Sequence, residues 1–187
     1  MDALKIIKKY YNKDSLSYNF IVKHSTSVAR AAIKIVEHNN LDIDKKFITD
    51  AAMLHDIGIF LTYAPSIGCF GKYPYIAHGY LGRELLEKHN LQKIALVCER
   101  HIGVGISLDE IIENNLPLPK RNMLPLSLEE KIICYADKFF SKRAEYLETP
   151  KPIEIIKHEI AKYGKNKIPV FENMINIFGW KYIYKSY

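Results

Sequence analysis

The chain has 187 residues, 48% of them hydrophobic and 26% charged, with a formal net charge of +6. That length suits one domain burying about two thirds of its unfolded surface without disulfide staples, and the composition excludes a disordered chain. Its basic residues are dispersed rather than clustered, which disfavours nucleic acid as the principal ligand and leaves a mild attraction for small anions.

Apolar periodicity predicts an all-α chain, a multi-helix bundle with no convincing alternating strand and no internal repeat. A short helix is expected over residues 2–12 and a long one from Ser15 or Tyr18 to His38. A third runs from Asp44 to His55, with Gly58 as a stop signal. Residues 60–76 read as a loop holding Pro65, Gly68, Gly71 and Pro74 among Phe60, Tyr63, Phe70, Tyr73 and Tyr75. Such an aromatic loop serves equally well as a pocket wall or as a satellite of the core. Helices follow over 77–88 and 91–101, then Gly103 and Gly105 break the pattern. Ser107 and Glu110 have the spacing of a capping box for a short helix reaching Asn114. Pro117, Pro119 and Pro125 mark a connector, and a helix is expected from Ser127 to Leu147. Pro150 and Pro152 divide the main domain, 1–150, from a helical appendage over 151–187 packed on it. The apolar residues of that appendage (Ile175, Ile177, Phe178, Trp180, Tyr182, Ile183 and Tyr184) suit packing against the domain or against a second chain.

Three cysteines, Cys69, Cys98 and Cys134, are widely spaced and form no Cys-x-x-Cys pair, which points to a reducing compartment and away from a zinc ribbon. The N-terminus carries its charges in the wrong places for a signal peptide, and no segment approaches the ~20 apolar residues of a membrane span. A cytoplasmic protein without a membrane partner is expected.

Chemistry enters with the polar residues on apolar faces. His24 is in line with Val28, Ala31 and Ile35, and His55-Asp56 ends the stripe of Ile48, Ala51 and Ala52. His78 shares a face with Leu81 and Leu85. His101 continues Ile94, Val97 and Cys98, and Asp137 falls between Ile133 and Phe140. One inward histidine is ordinarily a satisfied core residue, but a buried carboxylate must be paired or bound to a cation. Five predicted helices each bring such a residue, whereas His38, His89 and His158 sit where surface positions explain them. Imidazole and carboxylate donors suit zinc, iron, manganese, nickel or cobalt, and the lack of thiolates speaks against structural zinc. His24, His55, Asp56, His78, His101 and Asp137 exceed the needs of one catalytic ion. They suffice for one or two divalent transition metal ions, with Asp56 as the natural bridge.

The order His24, His55-Asp56, Asp137, with the run His-Asp-Ile-Gly at 55–58, resembles the HD-domain metal-dependent phosphohydrolase superfamily in its HDIG variant. The resemblance covers about residues 18–147. His78 in Ala-His-Gly-Tyr-Leu-Gly and His101 in Arg-His-Ile-Gly match the two extra histidines of its dinuclear branch. It implies that His24, His55, Asp56 and Asp137 hold a first metal and that Asp56, His78 and His101 hold a second. The stretch from Leu128 to Lys138 is similar to small HDIG proteins whose substrate is generally unassigned. Two departures separate the chain from cyclic-dinucleotide phosphodiesterases of this kind: Ile59 stands where they have lysine, and no glutamate precedes His24. No glycine-rich phosphate loop is present.

The expected function is hydrolysis of a small, anionic, nucleotide-like phosphoester or phosphoanhydride by a metal-activated water. Asp56 would orient the water. Lys138 and Arg143, with Lys142 between them, are the candidates for supplying positive charge to the transition state, ahead of Lys120 and Arg121. Two rival readings are a di-iron oxygenase of the same superfamily and a non-catalytic, metal-stabilised ligand-binding module. A homo-oligomer is compatible with the sequence.

Overall fold

The computed structural model describes residues 2–186; Met1 and Tyr187, the outer limits of the two expected units, lie outside the described residues. The described residues form α1 (Ala3–Tyr10), α2 (Leu16–His38), α3 (Lys45–Leu54), α4 (His78–Glu87), α5 (Gln92–Arg100), α6 (Leu108–Glu113), α7 (Leu128–Lys138), α8 (Ile153–Ala161) and α9 (Lys167–Phe178). The fold is all-α, with one small hairpin in the aromatic loop. There β1 (Tyr63–Ala64) pairs antiparallel with β2 (Cys69–Phe70), Tyr63 opposite Phe70.

Local chemistry sets the helix starts. The side chains of Ser15, Asp44, Ser107 and Ser127 accept from the backbone N–H of Tyr18, Lys46, Glu110 and Glu130, each such cap worth about 1 kcal/mol. Glu110 reciprocates onto the Ser107 N–H, completing the capping box. Helices α2 and α3 pack together, α7 lies across α2 and α5, and α4 lies along α5. Val28, Ala31, Ile35, Ala51, Leu54, Ile132 and Ile133 fill the space between them and are shut off from solvent.

Gly58 does not act as a helix stop. Helix α3 ends at Leu54, and Gly58 lies in a 3-10 turn, Ile57–Leu61, that packs on α4. A Cβ at Gly58 would run into the His78 carbonyl and the backbone of Gly82, and one at Gly82 would meet the Cys98 sulfur on α5. The glycines therefore serve close approach of three elements. Tyr11, at the end of α1, braces the same turn by donating its hydroxyl to the Ile57 carbonyl (3.0 Å) and accepting from the Phe60 N–H (3.1 Å).

The helix expected to reach Leu147 ends at Lys138. Phe139 and Phe140, just past its end, are both buried. The chain turns, and the Phe139 carbonyl accepts from the Lys151 N–H at 2.7 Å. In the C-terminal region α8 pairs with α9, and α9 packs on α7, with the Tyr135 ring 5.6 Å from Phe171 and 5.5 Å from Phe178. Ile183 is buried, whereas Ile177 is more than half exposed. No helix among the described residues is long and apolar enough to cross a membrane.

Candidate metal centre

The six predicted ligands converge from five pieces of the bundle. His24 comes from the middle of α2, His55 and Asp56 from the residues just after α3, and His78 from the first residue of α4. His101 directly follows α5, and Asp137 is the penultimate residue of α7. All are buried except Asp137, whose side chain is 13% exposed.

The carboxylate of Asp56 divides the donors into two sets. Its Oδ2 lies 3.3 Å from His24 Nε2 and 3.3 Å from His55 Nε2. Asp137 Oδ1 closes that set at 3.0 Å from His24 Nε2 and 3.4 Å from His55 Nε2. The other oxygen, Oδ1, lies 3.3 Å from His78 Nε2 and 3.4 Å from His101 Nε2, and these two nitrogens are 3.1 Å apart. Four donors thus surround one point and three another, with Asp56 common to both.

Hydrogen bonds behind the imidazoles decide which nitrogen faces inward. His55, His78 and His101 place Nδ1 on the backbone carbonyls of Ala52 (2.6 Å), Tyr75 (2.6 Å) and Cys98 (2.7 Å). A carbonyl can only accept, so each Nδ1 carries a proton, and each ring in its neutral form presents an Nε2 lone pair to the centre. His78 and His101 then aim two lone pairs at each other at 3.1 Å, an arrangement that is repulsive unless a cation or a proton lies between them. His55 Nε2 and both oxygens of Asp56 have no hydrogen-bond partner of acceptable geometry despite complete burial. With metal–ligand bonds of about 2.1 Å, adjacent donors lie about 3.0 Å apart at right angles and about 3.4 Å apart at tetrahedral angles. The spacings within each set fall in that interval, so these residues fit divalent transition ions.

Two lysines complete the electrostatics. Lys138 Nζ sits 2.7 Å from Asp137 Oδ2, the oxygen that faces away from the histidines, and donates to the His101 carbonyl at 3.1 Å. Lys142 Nζ sits 2.6 Å from Asp56 Oδ2, the oxygen that faces them. Burial works against ionisation of both carboxylates, but Lys142 and His55 hold Asp56, and Lys138 and His24 hold Asp137, well below the usual carboxylate range. Burial likewise opposes the His55 imidazolium, yet Asp56 and Asp137 outweigh it and raise that ring to about 9. His101 goes the other way, pushed by burial down to about 4.

Arg143 does not join the cluster: its side chain is 71% exposed and faces Glu159 at 3.9 Å. The helix end at Lys138 is the reason, since the non-helical segment beyond it turns Lys142 inward and the next residue outward. Lys120 is exposed and Arg121 is paired with Glu99. The cysteines stay out of the ligand sets. Cys98 donates its thiol to the His55 carbonyl, and burial raises the Cys98 thiol well above its usual range and that of Cys134 to about 11.

The aromatic loop supplies one wall of the centre, and one further buried charge had no sequence signal. Tyr75 lies against the His78 ring at 4.8 Å and beneath the Lys142 ammonium at 5.7 Å. Glu99, buried next to a ligand, is clamped by Arg83 from α4 and by Arg121 from the connector. A Glu-Arg dipeptide on a helix reads as solvated surface, and the partners of Glu99 come from 16 and 22 residues away.

Comparison with known proteins agrees with this geometry. The profile of the HD domain family matches residues 21–141, a span that holds all six clustered residues. An uncharacterized protein of Methanocaldococcus jannaschii is 33% identical over 88% of this chain and 86% of its own length. Two tRNA (cytidine(56)-2′-O)-methyltransferases, from Thermoplasma volcanium and Picrophilus torridus, are 30% and 31% identical over 74% and 75% of this chain, which spans 36% of each of them. No solved structure matches the chain. By the match of the family profile over most of its length, the chain belongs to the HD domain family.

Proposed function

We propose that the chain is a metal-dependent phosphohydrolase acting on a small phosphoester or phosphoanhydride, nucleotide-like in kind. The observation that carries this reading is the division of Asp56, whose two oxygens each face a separate, incomplete set of donors. The three-donor set leaves an ion a position for water or substrate, and the four-donor set leaves one to an ion that takes five or six ligands, which a closed tetrahedral site does not. Divalent ions held there would lower the pKa of a water molecule and neutralise charge on phosphoryl oxygens.

The chain's own residues prepare that chemistry. His24, His55, Asp56 Oδ2 and Asp137 Oδ1 would hold one ion, and Asp56 Oδ1, His78 and His101 the other. The carbonyls of Ala52, Tyr75 and Cys98 keep three of the imidazoles in the ligating tautomer. Lys138 fixes Asp137 from behind, a positioning role rather than a contact with substrate. Tyr75 covers His78 at the edge of the centre. The two methyltransferase relatives are named for action on tRNA, which supports including RNA with terminal phosphates beside mononucleotides as substrate candidates.

The test is hydrolysis of a panel of nucleotides, dinucleotides, short RNAs and simple phosphoesters, read as release of inorganic phosphate from monoesters and anhydrides and as release of the smaller nucleotide products from diesters, with manganese, cobalt or zinc added and with oxygen excluded. Release that requires metal and is abolished by Asp56→Ala is the expected result. A mixed-valence di-iron signal with substrate-dependent oxygen uptake would replace this reading with the oxygenase. Tight metal binding with no turnover across the panel would replace it with the metal-stabilised module.

A further inference from the structure

The two lysines at the centre differ in a way that assigns them different fates. Lys138 pairs with the oxygen of Asp137 that faces away from the histidines, so a cation on Oδ1 leaves its contact intact. Lys142 pairs at 2.6 Å with Asp56 Oδ2, the oxygen that His24 and His55 also address. A divalent cation bound to that set and the ammonium of Lys142 would both claim one carboxylate oxygen, and like charges at that separation repel strongly at low dielectric.

We infer that Lys142 is an exchangeable counterion, which holds Asp56 in the metal-free protein, is displaced when a cation takes Asp56 Oδ2, and then binds the phosphoryl group of the substrate. The substrate half of this statement rests on the phosphohydrolase reading; the displacement half does not.

Three features equip Lys142 to move. It lies beyond the end of α7, on a segment with no helical hydrogen bonds to lock its backbone, whereas Lys138 is the last residue of the helix. Its side chain is 20% exposed while Asp56 is fully buried, so it enters the cluster from the solvent side. Its ammonium already lies over the ring of Tyr75, exposed at the edge of the centre, so it keeps that partner when Asp56 is taken from it. Displacement along that path keeps the ammonium beside the face of the centre left open by the protein donors. A phosphoryl group held there offers the anionic oxygens that Asp56 no longer provides.

The experiment measures two affinities in the full chain and in Lys142→Met, which keeps the length of the side chain without its charge, and in Lys142→Arg, which keeps the charge. Manganese or cobalt affinity is read by competition with a chromogenic chelator. Inorganic phosphate affinity of the metal-loaded protein is read by calorimetry. Lys142→Met is expected to bind metal about tenfold more tightly, because no ammonium has to be displaced, and to bind phosphate about tenfold more weakly. Lys142→Arg should stay within a few-fold of the wild type in both. In the wild type, phosphate should tighten metal binding, and Lys142→Met should lose that coupling. Unchanged or weaker metal binding by Lys142→Met overturns the displacement, and unchanged phosphate binding overturns the substrate contact. Failure of the wild type to bind metal overturns both this inference and the phosphohydrolase reading. The expected pattern of affinities without turnover on any substrate removes only the latter.

Discussion

Stripped of metal, the centre must neutralise itself, and His55 and His101 do so in opposite senses. Burial opposes a charge on His55, but Asp56 and Asp137 prevail and lift the ring from 6.5 to about 9. The folded chain therefore holds a proton there that the unfolded chain begins to lose near pH 6.5. The resulting stability is fully present below that pH and disappears as pH rises through about 9. At about 1.4 kcal/mol per pH unit the interval is worth about 3 kcal/mol. His101, pushed by burial from 6.5 down to about 4, refuses a proton that the unfolded chain accepts. Its contribution is present above pH 6.5 and is lost as pH falls through about 4, again about 3 kcal/mol by the same arithmetic. The metal-free protein should thus show a dome of stability centred near pH 6.5.

Urea unfolding followed by circular dichroism, in excess chelator from pH 4 to 10, reads this directly. His55→Gln should flatten the alkaline limb relative to the wild type, a comparison that also removes the contribution of the buried thiols near pH 9. His101→Gln should flatten the acid limb down to pH 4, because the depressed carboxyls of Asp56 and Asp137 keep their stabilisation until pH falls below the ordinary carboxylate range. Saturating metal should abolish the alkaline limb, because the ion takes the place of the His55 proton. Metal-free stability that is level or rising between pH 6.5 and 9 would refute the proposed proton on His55.

Elemental analysis should find two metal ions per chain in the wild type and one when His78 and His101 are both changed to Ala; one ion in the wild type would demote those two histidines. Gly82→Ala drives a methyl group into the Cys98 sulfur and towards Gly58, and should cost about 1–3 kcal/mol by overpacking; an unchanged urea midpoint would show that α4 and α5 separate freely. Glu99→Gln leaves two partly exposed guanidinium groups, Arg83 and Arg121, facing a neutral amide and should cost about 1.5–3 kcal/mol, measured by the same unfolding curves, with Arg121→Ala costing less because Glu99 keeps Arg83.

Much of this arrangement was legible in the sequence because burial has a period. The stripes of Val28, Ala31 and Ile35 on α2 and of Ile48, Ala51 and Ala52 on α3 aim His24 and His55 inward whatever the helices pack against. Periodicity acts along one helix, however, and the division of Asp56 between two donor sets is a relation among α2, α3, α4, α5 and α7. The number of donors suggested Asp56 as a bridge, and the resemblance to HDIG proteins suggested which donors go to which ion, but nothing in spacing could measure the division. The end of α7 was hidden for a related reason. The run from Ser127 to Leu147 has acceptable helical propensity throughout, and at its end the Phe139 carbonyl takes the N–H of Lys151 instead of a helical partner, a tertiary contact that overrides local preference. That same stop turns Lys142 in and Arg143 out, so the error in the helix boundary and the misplacement of Arg143 have one cause.

The placement of the ligands at helix ends explains how a bundle can present so many polar atoms to one point. A helix leaves its last four carbonyls without backbone donors, and in a buried helix end these need partners. In α3 and α5 the residue after the last helical turn is a histidine, and its Nδ1 reaches back to the carbonyl three residues earlier, Ala52 for His55 and Cys98 for His101. One hydrogen bond thus settles a helix terminus and a tautomer together. The carbonyls of these histidines are in turn met by the Cys98 thiol and by the Lys138 ammonium. Extending either helix by a turn would hand the acceptor carbonyl to a backbone N–H, free the ring, and dissolve the alignment of Nε2 on the centre. The short 3-10 turn at 57–61 and the left-handed glycine at 103, with φ of 59°, are accordingly as much a part of the metal centre as the histidines they follow.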